Sequence, residues 1–163
     1  MNCFKIFLII LLFPVFIYSQ EVGSKAPDFS ATDLDGNTIK LSEISGIVIV
    51  LDFWASWCIP CKKSMPHLAE LYNKLKDTSF TIIGINLDDD KDKILSFQKS
   101  IGKEIPFPII FNKDSKLPTL YNVEGMPTTI IIDKKGTIKF KETGFDNDLK
   151  EKMDKIISEL LSN

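Results

Sequence analysis

The sequence predicts an α/β domain with a central mixed β-sheet flanked by helices. Three observations carry that reading. Residues 47–53 (IVIVLDF) and 80–87 (FTIIGINL) are apolar runs rich in β-branched side chains, the composition of strands covered on both faces. Apolar residues recur at three- and four-residue spacings in the segments that begin near 61, 91 and 147, as on one side of a helix. Asp35-Gly36 and residues 133–136 (DKKG) are hairpin turn signals, the second between two β-rich stretches that close the sheet with antiparallel strands.

In chain order, residues 29–33 and 38–41 read as short strands around Asp35-Gly36. The strand at 47–53 is followed by a helix from Cys61 to about Lys76, with Cys61, Met65, Leu68, Tyr72 and Leu75 along one side. After the strand at 80–87, Asp88, Asp89 and Asp90 suit a solvated helix start better than a metal site. Ile94, Phe97, Gln98 and Ile101 share a face of that helix. Residues 106–112 read as a strand with a proline-marked entry, and 117–121 as a helical turn. Strands at 128–132 and 137–142 form the last hairpin. Asp146 then caps a final helix whose Leu149, Met153, Ile156 and Leu160 face inward.

The first twenty residues differ from the rest. Lys5 precedes an almost unbroken apolar run over 6–18, Ser19 is a small residue suited to cleavage, and a polar, lysine-rich region follows. Residues 1–19 therefore read as a secretory signal peptide, with a retained amino-terminal membrane anchor as the other reading. The run is short for a bilayer span, which needs about 20 apolar residues. Residues 22–163 then form one domain. The net charge is −2 and the sequence contains no arginine, the residue favoured for bidentate phosphate recognition, so a nucleic-acid partner is not expected.

Beyond Cys3, the chain has only Cys58 and Cys61. A zinc site usually takes four ligands, and there is neither a second cysteine pair nor a histidine besides His67, so no metal is expected. A structural staple is a weak reading as well, because the entropic gain from a disulfide grows with the loop it closes. The pair sits where a buried strand ends and a helix begins. Free N–H groups and the partial positive charge of a helix start stabilise a thiolate there. Cys58, at the mouth of the helix, receives most of this effect. Pro60 suits an early helical position, and Lys62 and Lys63 add positive charge.

Residues 51–62 (LDFWASWCIPCK) resemble the active-site segment of thioredoxins, and Pro66 matches that family's helix-kinking proline. Residues 125–129 (GMPTT) are similar to the loop that holds its cis-proline, and Gly144 has a counterpart too. Residues 23–29 (GSKAPDF) and the hairpin after them resemble the extracytoplasmic TlpA/ResA branch, as does the long stretch between Asn86 and Pro127. The resemblance implies a thioredoxin-like three-layer fold with an N-terminal β-hairpin and a central helix–strand insertion. It implies a thiol–disulfide oxidoreductase that reduces disulfides of exported proteins, with a disulfide oxidant or isomerase as the alternative, in which Cys58 attacks and Cys61, buried, resolves. Trp57, Pro60, Met126 and Pro127 would bind substrate, the last through a cis bond. Expected partners are disulfide-bearing exported proteins and a membrane thiol–disulfide electron donor. The enzyme would be a monomer, with no cofactor beyond its dithiol.

Asp52 matches the buried aspartate that handles the resolving cysteine's proton in thioredoxins, but the lysine that accompanies it there falls at Gly84. Burial without that counter-charge favours the neutral acid. Ser64 stands where relatives dedicated to cytochrome c maturation tend to carry glutamate, which weakens that specialised role. A peroxiredoxin would need proline and threonine seven and three residues before its cysteine, where this chain has Leu51 and Ala55, and an arginine that it lacks. A copper-delivery or redox-inactive binding module is the non-enzymatic alternative. Related copper carriers space their cysteines by three residues and add a distal histidine, whereas two residues separate this pair and His67 lies on the same helix.

Overall fold

The two β-branched runs become the middle strands of one sheet in the computed structural model, which describes residues 21–113 and 116–162. The leader reading for residues 1–19 lies outside the described residues. Strands β1 (Ser30–Thr32) and β2 (Thr38–Lys40) form a hairpin, followed by a single 3-10 turn over Leu41–Glu43. Gly36 has φ 88° in its turn, a conformation that suits a residue without Cβ. There follow β3 (Val48–Trp54), α1 (Cys61–Leu75), β4 (Phe80–Asn86), α2 (Asp92–Ile101) and β5 (Ile109–Phe111). The chain closes with α3 (Lys116–Leu120), β6 (Thr128–Ile132), β7 (Ile138–Thr143) and α4 (Asn147–Ser162).

The main sheet has the order β5-β4-β3-β6-β7. Strands β3, β4 and β5 run parallel, while β6 is antiparallel to β3 and to β7. Because β3 is buried along its whole length, its alternate side chains build two cores. Val48, Val50 and Trp54 pack with Met65 and Leu68 of α1, Phe97 of α2, and Met153 and Ile157 of α4. Ile49, Leu51 and Phe53 pack with Phe29, Leu41, Leu117 and Tyr121 on the opposite face. Helix, sheet and helix-plus-hairpin make the three layers. The N-terminal segment also covers sheet edges. Leu34 N–H donates to the Ile109 carbonyl at 2.9 Å beside β5, and Gly23 N–H to that of Ile138 at 2.8 Å beside β7.

Three elements differ from the sequence expectation. The strand expected at 106–112 shortens to Ile109–Phe111, because Pro106 and Pro108 have no N–H to give; Pro108 serves only as acceptor, from Gly84 N–H at 2.9 Å. Helix α2 begins at Asp92 rather than at the aspartate cluster, and Asp88 is buried instead of solvated. In α4, Ile157 is fully packed whereas Ile156 and Leu160 are only half-buried, since the buried stripe centres on Met153 and Ile157. Asp146 does cap α4, its carboxylate accepting Leu149 N–H at 2.8 Å.

Candidate active site at the start of helix α1

Strand β3, the middle of the sheet, ends at Trp54, and residues 55–60 turn into α1. Cys58 N–H donates to the Ala55 carbonyl at 3.1 Å, which folds this loop into a turn. Helix α1 carries no side-chain cap and no acidic residue in its first turn. The acceptor at its mouth is sulfur: Cys61 N–H points at Cys58 Sγ, 3.2 Å away. The two cysteines form a disulfide with Cα atoms 5.3 Å apart. In this oxidised form Cys58 is 4% exposed and Cys61 0%, so little of either sulfur meets solvent. The flanking Trp57 and Ile59 are 65% and 74% exposed and form an apolar rim, with Pro60 also exposed.

The loop before β6 meets this turn from the side. Register places Phe53 opposite Thr128, so Pro127 falls beside the end of β3. The Met126–Pro127 peptide bond is cis. Pro127 is buried, its carbonyl accepts Gly144 N–H at 2.8 Å, and half-buried Met126 packs on the core that contains both cysteines.

Asp52 is on the β3 face that carries Val50 and Trp54, which pack in the same core as both cysteines, and is fully buried. One carboxyl oxygen accepts the Thr129 hydroxyl at 2.9 Å, and the other has no partner among the described residues. Burial raises its pKa to about 7, against the lowering effect of the Thr129 bond. Across the parallel register stands Gly84. A Cβ there would lie 3.1 Å from the Phe107 ring and 3.2 Å from Trp54 Nε1, so these rings fill the space that a counter-charged side chain would need.

Asp88 is the residue that sequence reasoning misjudged. It is 1% exposed and accepts Ser56 N–H at 3.0 Å, the Ser56 hydroxyl at 2.8 Å and the Asn86 amide at 2.9 Å. Three consecutive aspartates look alike in sequence; only the sheet register, which brings the end of β4 beside the end of β3, separates the first from the others. His67 faces α4 instead, 2.8 Å from Asp154, at a cleft of about 550 Å³ between α1 and α4 whose lining includes neither cysteine.

The AhpC/TSA family model matches residues 22–141, from the N-terminal segment into β7. The thiol–disulfide oxidoreductase ResA of Geobacillus kaustophilus is 39% identical over 123 residues, 76% of this chain and 70% of that protein. ResA of Bacillus subtilis is 35% identical over 126 residues, 77% of this chain and 69% of that protein. A crystal structure from Chlorobium tepidum, assigned as thiol:disulfide interchange protein DsbE, superposes with a TM-score of 0.79 at 36% identity, covering 88% of this chain and 99% of that one. These likenesses and the disulfide at the helix start agree: the chain belongs to the ResA/TlpA-type thioredoxin-like family of thiol–disulfide oxidoreductases.

Proposed function

We propose that this oxidoreductase works outside the cytoplasm as a reductant of disulfides in exported proteins. The observation that carries the mechanism is the bond from Cys61 N–H to Cys58 Sγ at 3.2 Å, in a helix start with no side-chain cap. A thiolate at Cys58 gains from that N–H and from the helix dipole. Cys58 attacks one sulfur of the substrate disulfide and the other leaves as a thiolate, giving a mixed disulfide. Cys61 then loses its proton to Asp52 and attacks Cys58 Sγ, so the second substrate sulfur leaves and the Cys58–Cys61 disulfide forms. The substrate gains two electrons and the enzyme loses them; a membrane thiol–disulfide donor restores the dithiol. Trp57, Pro60 and Met126 offer the substrate an apolar surface, and buried Pro127 sets the course of the Met126 backbone that would pair with it.

Direction is tested by the reduction potential against glutathione. A value near thioredoxin's, about −270 mV, supports a reductant, and one near DsbA's, about −120 mV, replaces it with an oxidant. Export rests on the layout of residues 1–19. Amino-terminal sequencing of protein from the cell envelope should find a start close to residue 20; an intact Met1 in the membrane fraction means a retained anchor instead.

A further inference from the structure

We propose that Asp88 is a positioning residue of the redox loop, and that its carboxylate, clamped on Ser56, sets how readily Cys58 becomes a nucleophile. The inference rests on Cys58 being the attacking sulfur. Asp88 is almost wholly buried, yet the exchange steps make no use of it. The three donors to its carboxylate come from the two strand ends that hold the loop: Ser56 N–H and Oγ after β3, and Asn86 Nδ2 at the end of β4. Asp88 N–H returns a bond to Asn86 Oδ1 at 3.2 Å, and Leu87 N–H donates to the Trp54 carbonyl at 2.9 Å, so the carboxylate has little freedom to move.

Ser56 lies inside the turn that Cys58 N–H closes on Ala55. Two residues of chain reach at most about 7 Å, so the clamp and the sulfur belong to one rigid unit. Holding Ser56 fixes where Cys58 Sγ stands relative to the first N–H groups of α1. The carboxylate also places negative charge on the loop that carries Cys58, opposing the helix start. The other charged or titratable side chains on the surrounding elements are Asp52 on β3, Lys62 and Lys63 in the first turn of α1, Asp89 and Asp90 after Asp88, Lys91 and Lys93 around the start of α2, the latter within electrostatic reach of Asp88, and Glu124 before Met126. Asp88 differs from the exposed ones in being held directly on the loop.

Two substitutions with opposite expected signs test this. Asp88→Asn keeps the shape and one acceptor oxygen but removes the charge. Ser56→Ala keeps the charge and the backbone bond but removes one compensating hydroxyl. The readouts are the pH dependence of iodoacetamide alkylation of the reduced protein, with the modified cysteine identified by peptide mapping, and the reduction potential against glutathione. In Asp88→Asn the Cys58 midpoint should fall by about half a pH unit or more, roughly threefold more thiolate below the midpoint, with a less negative potential. In Ser56→Ala the midpoint should rise. Shifts of the same sign in both variants, or a lower melting temperature with midpoint and potential unmoved, overturn the proposal. If Asp88→Asn does not fold, the sign of the Ser56→Ala shift alone decides. Equal alkylation of Cys58 and Cys61 in the unsubstituted protein defeats the assignment of the attacking sulfur instead, and is visible before any variant is made.

Discussion

At the scale of single residues, the chemistry rests on three side chains with unlike surroundings. Cys58 has a backbone N–H aimed at its sulfur, whereas Cys61 lies at zero exposure beneath it. Cys61→Ser should therefore trap mixed disulfides through Cys58, and Cys58→Ser should trap none; non-reducing electrophoresis with peptide mapping reads the difference. Asp52 carries a carboxyl raised to about 7 by burial. Asp52→Asn keeps its size and polarity but cannot take the proton of Cys61, so resolution should slow about tenfold or more while mixed-disulfide formation stays near normal. Stopped-flow measurement of the two steps separates them. The same group makes stability depend on pH. The folded carboxyl holds its proton to about pH 7, and the unfolded one releases it near 3.8. Between those values the folded state binds more protons, so stability falls as pH rises, by a total on the order of a few kcal/mol. Asp52→Asn should flatten that slope in chemical denaturation from pH 4 to 8.

At the scale of elements, the site is made by strand ends. Strands β3, β4 and β6 finish or begin side by side, and their register brings Asp52, Gly84 and Thr129 into one row. The rings of Trp54 and Phe107 occupy the space above Gly84, both from well-packed positions. Gly84→Ala should destabilise the protein by about 1–3 kcal/mol in urea denaturation, because two buried rings would have to shift to admit the methyl group. This also explains why Asp52 has no counter-charge from β4: a longer side chain at Gly84 would have to displace an aromatic core. Fragments of this element-level picture are legible in sequence. The β-branched runs and the helical spacing of Met65 and Leu68 reveal strand and helix because burial on both sides, or on one, leaves its period in the residues. The bounds of β5 and the start of α2 do not, because prolines and aspartates mark where regular structure is difficult without saying which neighbour accepts the chain.

At the scale of the whole molecule, the N-terminal segment and α3 close the sheet face opposite the helix that carries the cysteines. Tyr121 joins them: it is fully buried, packs edge-on to Phe29 at 6.2 Å, and donates its hydroxyl to the Pro27 carbonyl at 2.6 Å. Tyr121→Phe keeps the ring and loses that bond, so thermal or urea unfolding should show a loss of about 1 kcal/mol with exchange activity unchanged. Nothing in the local sequence singles this tyrosine out, because its partner lies 94 positions away.

The sequence by itself determined the α/β class, the order of the main elements, the cysteine pair at a strand-to-helix junction, and the burial of Asp52 without a lysine. The first three are local properties, written in residue type and spacing within a few turns of chain, and the last came through the resemblance to thioredoxins. Only the tertiary structure decided that Asp88, alone among three adjacent aspartates, turns inward to hold Ser56 at 2.8–3.2 Å. It alone also decided that aromatic rings fill the space at Gly84. These outcomes depend on which strand ends lie side by side. Sheet register sets that between segments some 30 residues apart, and no local pattern of residues encodes it.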